Sequence, residues 1–282
     1  MQKRLTTYTP FLLTLFAMVS LGGCEKPIEL NSKWRNFEIT IDGKDNEWGG
    51  ATIYAEKEKV SLTILNDSDY MYIRINSRDH SVQTQVLGMG FTLWFDPNDG
   101  KNKTFGIHFP LGMHNIGMPM MAGNHQVNQG EIIQQMLARL TDEMEILGPG
   151  EKNTSRISLA EAKEHDINVG LDCSSGNLVY ELKVPFVQGE DHLFAIGLKV
   201  TEFGTNRTIG IGFETPEIDM EGMKKNMEEK GMGMPTGGSG MPPGGMPGGG
   251  MPHGGMPGGE MHGGPEMPKR LQLWTTVKLA DE

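Results

Sequence analysis

Residues 60–75 read VSLTILNDSDYMYIRI and decide the fold class. Apolar and polar side chains alternate from Val60 to Ile64, which is the period of a half-buried strand. The run Asn66–Asp69 consists of turn-forming residues, and the alternation resumes from Met71 to Ile75. Two alternating runs joined by a short polar turn predict an antiparallel β-hairpin.

The same alternation recurs along the rest of the chain, with turn residues between the runs. A strong turn signal, Asp96–Gly100, separates two runs that predict a second hairpin. Many short strands at this spacing predict a mainly β protein, an antiparallel β-sandwich. The further predicted strands are Phe37–Ile41, Phe91–Phe95, Phe105–Phe109, Ile167–Leu171, Leu178–Val184, Leu193–Val200, Ile209–Phe213 and Leu271–Leu279.

One segment departs from the strand period. Between Gln129 and Leu147, apolar residues recur at helical spacing, which predicts one amphipathic helix that caps the sandwich. Residues Ser158–His165 predict a second, short helical turn.

The N-terminus has the pattern of an export signal. Lys3 and Arg4 precede the apolar run Phe11–Val19, which is too short to span a bilayer. The run ends in Leu21–Cys24 (LGGC), which resembles the bacterial lipobox, in which the cysteine receives a diacylglycerol. We therefore expect lipid attachment at Cys24.

This assignment predicts where the protein resides and how the chain is divided. Acyl chains on Cys24 anchor a protein firmly to a membrane, and Glu25 is not the aspartate that retains lipoproteins in the inner membrane of enteric bacteria. An outer-membrane lipoprotein of a Gram-negative bacterium is expected, with the periplasmic and surface faces both left open. The predicted division is a signal peptide at 1–23, a lipidated tether at 24–34 and a sandwich domain at 35–282.

Several phrases resemble one family of domains. Ile41–Trp48 (IDGKDNEW) resembles the opening of carbohydrate-binding module family 9-like domains, relatives of the DOMON sandwich. Asn66–Ile73, Leu93–Asp96 and Val179–Phe186 are similar to the later turn and strand phrases of these domains. The resemblance covers residues 35–213 and the final strand.

This resemblance implies a non-catalytic, immunoglobulin-like β-sandwich that in some members holds a saccharide between aromatic rings. An aromatic face offers apolar contact to the C–H surface of a sugar. The implied ligand-binding residues are Trp48, Tyr70, Tyr72 and Trp94, with Asp96 as their polar partner. The alternative is that these rings are packing residues of the sandwich.

The composition contains a methionine-rich segment. Residues 231–268 repeat Gly-Met-Pro units, and this density of glycine and proline predicts a long disordered loop before the last strand. Thioether and imidazole groups bind copper, so the alternative function is a Met/His-rich copper- or silver-buffering envelope protein. The implied metal ligands are Met113, His114, Met118, Met120, Met121, His125, Met246, Met251, His253, Met256 and His262.

Other function classes find less support in the sequence. The net charge of −11 predicts no duplex nucleic-acid partner, and the chain lacks zinc-protease, nucleophile-elbow and phosphate-loop motifs. The carboxylates of Asp42–Asp45 and Asp96–Asp99 could hold Ca²⁺, although neither run forms a twelve-residue EF-hand loop. We expect a non-enzymatic protein without a required cofactor, with Ca²⁺ and copper as the alternatives.

Overall fold

Two β-sheets pack face to face through the apolar sides of their strands in the computed structural model. The structure describes residues 28–49, 52–112, 137, 142–148, 153–190, 192–199, 207–217 and 270–282.

Runs of consecutive strands belong to the same sheet, and the chain passes between the two sheets several times. The described elements are β1 (Ile28–Asn31), β2 (Lys33–Trp34), β3 (Ile53–Ala55), β4 (Val60–Asn66), β5 (Tyr70–Ser77), α1 (His80–Met89), β6 (Thr92–Asp96), β7 (Phe105–His108), β8 (Glu143–Leu147), β9 (Thr154–Ser158), α2 (Leu159–Glu164), β10 (Asn168–Ser174), β11 (Asn177–Pro185), β12 (Thr208–Glu214) and β13 (Gln272–Lys278).

The first sheet has the order β1-β13-β12-β6-β7-β8-β9, and the second has the order β10-β11-β5-β4-β2 with β3 also paired to β4. Neighbouring strands are antiparallel except for β1 with β13 and β2 with β4. The predicted mainly β, antiparallel sandwich is therefore confirmed, as are the hairpins β4–β5 and β6–β7.

The core lies between the sheets because each strand turns every second side chain inward. Ile73 of β5 and Leu182 of β11 are fully buried cross-strand partners in the second sheet. Leu93 and Ile107 form the equivalent pair in the first sheet. Tyr180 crosses the core and contacts Phe91 edge-on, with ring centroids 5.3 Å apart. Within the described part of the chain, no helix is long and apolar enough to cross a membrane.

Two predicted strands are wrong. Phe37–Ile41 is extended but has no ladder partner, since it lies on the outer face of the second sheet and packs there instead. Residues 193–199 form a loop whose backbone bonds to the end of β11, through Ile196 N to Pro185 O at 3.0 Å. Alternating apolar and polar residues indicate a segment with one buried face. A segment that packs on the surface of a sheet can have this pattern without being hydrogen-bonded into the sheet.

The helix predictions have a mixed outcome. The predicted helix Gln129–Leu147 is wrong at its end, where Met144 lies in β8 and pairs with Ile157 of β9. Leu137 is helical, and the rest of that segment lies outside the described residues. The short helix at Ser158–His165 is confirmed as α2. Helix α1 was not predicted, although Asp79 is a helix-capping residue and accepts a hydrogen bond from Val82 N at 3.1 Å.

The sheets begin before residue 35. Residues 28–34, which the sequence places in the tether, form the edge strands β1 and β2. Ser32 lies between these strands, and its backbone amide donates to Lys278 O at 2.9 Å. Its hydroxyl donates to Asn66 Oδ1, so residue 32 ties the first sheet to the second.

A substitution at Gly106 tests how tightly the outer face of the first sheet is packed. A Cβ at Gly106 would lie 2.6 Å from a ring carbon of Trp94, which is 1% exposed and has no room to move. We expect Gly106→Ala to lower the free energy of unfolding by about 1–3 kcal/mol, measured by urea denaturation. Gly189→Ala is the control, because its Cβ would meet nothing within 4 Å. Equal denaturation midpoints for the two variants would contradict this packing.

Candidate functional site

The outer face of the second sheet carries an apolar cluster separate from the main core. Trp48, Leu65 and Tyr72 form this cluster. The side chains that pack against it with partial burial are Phe37, Ile39, Ile41 and Tyr70. We call residues 37–49 the cover segment, because they lie across the middle of this face.

Glu181 of β11 holds the cover segment in place. This side chain is 0% exposed, and its Oε2 accepts hydrogen bonds from the backbone amides of Asp42 at 2.9 Å and Gly43 at 2.8 Å. Its Oε1 accepts a hydrogen bond from Trp48 Nε1. Burial raises the pKa of the Glu181 carboxyl to about 7, although the three donors favour the ionised form.

Two glycines allow the backbone of the cover segment to approach the sheet. Gly43 has φ = 80°, a left-handed conformation that glycine adopts without strain. A Cβ at Gly170 of β10 would lie 2.6 Å from the amide nitrogen of Gly43. The sequence motif Ile41–Trp48 therefore has a structural explanation. Its glycine allows the backbone to lie close to the sheet, and its tryptophan donates a hydrogen bond to Glu181.

Trp48 is a packing residue in this arrangement. Its ring lies beside Arg74, whose guanidinium carbon is 5.7 Å from the ring centroid. Arg74 is the cross-strand partner of Glu181 and donates to Thr63 Oγ1 at 2.9 Å. With 7% of its surface exposed, Trp48 cannot present a ring face to a sugar.

Tyr70 and Tyr72 also have partners in the protein. Tyr72 is buried, and its hydroxyl donates to Asp67 Oδ2 at 3.0 Å, the atom that also accepts from Arg35 Nε at 2.9 Å. Burial of Asp67 opposes ionisation, but the hydrogen bonds from Arg35 and two backbone amides outweigh it and lower the pKa of this carboxyl. The ring of Tyr70 is covered by Lys183, whose Nζ lies 3.7 Å from the ring centroid.

Trp94 and Asp96 lie on the other sheet, and both are buried. Trp94 Nε1 donates to Glu214 Oε1 at 2.8 Å. Asp96 accepts from the backbone amides of Asn98 at 3.0 Å and Asn102 at 2.8 Å, so it closes its own turn. The structure thus divides the five implied ligand-binding residues between two sheets and does not assemble them into one aromatic site.

The implied metal sites cannot be located in this structure. The eleven methionine and histidine residues named above lie at 113–136 and 218–269, outside the described residues, as does Cys24. Among the residues that are described, no group of three or more His, Cys, Asp or Glu side chains could hold a metal ion. Cys173 is a buried thiol, and burial raises its pKa.

A cleft of about 520 Å³ opens on the same outer face, at the end of β5 opposite Tyr72. Tyr54 forms one wall and is 57% exposed. Tyr54 of β3 is the cross-strand partner of Ser61 of β4, which is in turn the cross-strand partner of Asn76 of β5. The three side chains therefore lie in one row across the sheet. Asn177 of β11 completes the floor of this cleft, which we call the Tyr54 cleft.

Two amide oxygens in the Tyr54 cleft have no partner. Asn76 Oδ1 and Asn177 Oδ1 are buried and accept no hydrogen bond within the described part of the chain. A buried acceptor without a donor costs about 1–3 kcal/mol, so these two amides are polar groups that the described part of the protein leaves unsatisfied beside the cleft. On the rim, Lys59 Nζ pairs with Asp79 Oδ2 at 2.7 Å, and this hydrogen bond lowers the pKa of Asp79.

Sequence reasoning missed the Tyr54 cleft. Tyr54 lies in a strand of three residues, too short for a recognisable alternation. The two asparagines belong to turn or strand-end positions, where this residue type is ordinary. Only the pairing of β3, β4, β5 and β11 brings these residues together.

Comparisons with known proteins identify no sequence relative. No family model matches the chain, and no curated protein matches it. Two similar solved structures are a carbohydrate binding module family 9 from Caldicellulosiruptor kristjanssonii in complex with glucose and the same kind of module in complex with cellotriose. The first is 9% identical with a TM-score of 0.30, covering 70% of this chain and 81% of that one. The second is 9% identical with a TM-score of 0.29, covering 70% and 79%.

The raised pKa of Glu181 can be observed through Trp48. Because the folded pKa of about 7 exceeds the ordinary 4.5, the folded state binds this proton more tightly than the unfolded state. The contribution of Glu181 to stability is therefore largest below pH 4.5 and is lost as the pH rises through 7. We expect the Trp48 indole N–H signal in NMR spectra to titrate with a midpoint near pH 7.

Glu181→Gln should abolish this titration and lower the free energy of unfolding by about 1–3 kcal/mol, since the amide NH₂ would face N–H donors. Glu143→Gln is the matched control, because Glu143 is half exposed on β8. An indole signal that stays constant between about pH 5 and 9 would show that Glu181 does not titrate there.

Proposed function

We propose that this protein is a lipid-anchored, non-catalytic binding module of the bacterial envelope that recognises carbohydrate in the Tyr54 cleft. The observation that carries the proposal is the exposed ring of Tyr54 in a cleft that is also lined by the amide side chains of Asn76 and Asn177. An aromatic face binds the C–H surface of a sugar, and amide oxygens accept hydrogen bonds from its hydroxyls. The aromatic ring and the amide side chains line one cleft of about 520 Å³, a volume typical of small-molecule sites.

The carboxylates around the cleft support binding rather than hydrolysis. Glycoside hydrolysis ordinarily uses two carboxyl groups on either side of the scissile bond, one of them protonated. Among the described residues that line the cleft, Asp79 is the carboxylic acid, and its ion pair with Lys59 favours the charged form. A single ionised carboxylate can accept a hydroxyl hydrogen bond but cannot serve as the general acid.

The sequence of the N-terminus supports membrane anchoring. The lipobox-like phrase ends at Cys24, and β1 begins four positions later at Ile28. Four extended residues span roughly 14 Å, so an acyl anchor at Cys24 would hold the sandwich close to the membrane surface. Such a short connection suits a module that binds ligands adjacent to its own membrane.

Carbohydrate binding is tested by replacing Tyr54. We expect Tyr54→Ala to weaken binding of the best ligand in a panel of mono- and oligosaccharides by about tenfold or more, and Tyr54→Phe to retain it, because the ring supplies the contact. Calorimetric titration of the full-length protein in detergent provides the affinities. Leu193→Ala is the control, since Leu193 is equally exposed at 51% and lies outside the cleft.

A panel in which no saccharide binds, or in which Tyr54→Ala and Leu193→Ala bind equally well, would overturn the assignment. Measuring the free energy of unfolding of Tyr54→Ala, Tyr54→Phe and Leu193→Ala shows whether a variant binds weakly because it lacks the ring contact or because it is unfolded.

Lipid anchoring is tested with the two cysteines of the chain. We expect Cys24→Ser to move the protein from the membrane fraction to the soluble fraction and to abolish incorporation of labelled palmitate, because the thiol is the acceptor. Cys173→Ser should remain in the membrane fraction and stay labelled, since that thiol is buried. Labelling that depends on Cys173, or membrane association that survives Cys24→Ser, would contradict the proposal.

A further inference from the structure

A second cleft lies on the same face, on the other side of the cover segment, and we propose that it binds a small organic carboxylate. We call it the Tyr72 cleft, and its volume is about 430 Å³. It is formed by residues that the proposed carbohydrate site does not use, so the two proposals stand independently.

The floor of the Tyr72 cleft comes from three neighbouring strands. Asn168 of β10 is the cross-strand partner of Lys183 of β11, which is in turn the partner of Tyr72 of β5. A row of three such side chains lies across the sheet, as side chains at paired positions project to the same face. The row places one cation and one amide at the base of the cleft.

The walls are apolar and come from outside the sheet. Ile39 and Ile41 of the cover segment form one wall, and Leu159 of α2 forms part of the other. All three are partly buried. A ligand in this cleft therefore meets aliphatic surface along its body and polar groups at its base.

Among the residues that line the cleft, two side chains are cationic and one is anionic, and Asp166 beside Lys183 adds a further carboxylate. Lys163 of α2 and Lys183 line it against the single carboxylate of Glu38. Lys183 Nζ is held over the ring of Tyr70 and lies 3.2 Å from Asp166 Oδ1. An ammonium group has three donors, so this contact fixes the position of the group and leaves further donors for a ligand.

The amide at the base supplies the complementary group. Asn168 Oδ1 is buried and accepts no hydrogen bond from the residues that the structure describes. A ligand with a carboxylate for the lysines and a hydroxyl or N–H donor for this oxygen would satisfy both. Two sources share this chemistry, a sugar acid and an aliphatic or aromatic acid, and the experiment distinguishes them.

The test is calorimetric titration of the full-length protein in detergent with two pairs of probes, glucuronate against glucose and benzoate against benzamide. We expect at least one carboxylate to bind about tenfold more tightly than its neutral counterpart, and to bind more weakly at high salt. Preference within the first pair identifies a sugar acid, and preference within the second identifies an apolar acid.

Variants of the lysines that line the Tyr72 cleft test whether carboxylates bind there. Lys163→Met, at an exposed position of α2, and Lys183→Met should each weaken carboxylate binding by about tenfold. Lys33→Met on the exposed edge strand β2 is the matched control and should leave carboxylate affinity unchanged, because Lys33 lies outside both clefts. Equal affinity for charged and neutral probes, no binding of either acid, or unchanged affinity in both lysine variants would overturn the proposal.

Discussion

A single buried carboxylate organises the outer face of the second sheet. Glu181 accepts hydrogen bonds from two backbone amides and one indole of the cover segment, and no other described side chain attaches that segment at three points. Burying a carboxylate costs free energy unless hydrogen-bond donors replace the water around it. The sheet therefore needs the donors of the cover segment, and the cover segment needs Glu181 to hold it in place. The position of the cover segment in turn separates the Tyr54 cleft from the Tyr72 cleft.

The first sheet uses the same combination of groups. Trp94 donates to the buried carboxylate of Glu214 as Trp48 donates to Glu181. A cation lies over each ring: Lys103 Nζ is 5.1 Å from the centroid of Trp94, and the Arg74 guanidinium is near Trp48. Because each indole is engaged at both its N–H and its ring, these tryptophans stabilise the outer faces of the sandwich rather than recognising a ligand.

The two clefts differ in chemistry although they share one sheet. The Tyr54 cleft combines an exposed ring with amides and an ion pair, whereas the Tyr72 cleft combines aliphatic walls with two lysines. Asn76 and Tyr72 are four residues apart on β5, or roughly 13 Å.

The sequence by itself determined the strand pattern and the sandwich class, because alternation over a run such as Val60–Ile64 and a polar turn such as Asn66–Asp69 are local properties. It could not separate a strand from an extended cover at Phe37–Ile41, since both bury every second side chain. Only the tertiary structure decided which of these rings are exposed: Trp48 and Trp94 are buried, whereas Tyr54 is 57% exposed. Pairing between distant strands sets which residues meet and which face water, and no local pattern contains that information.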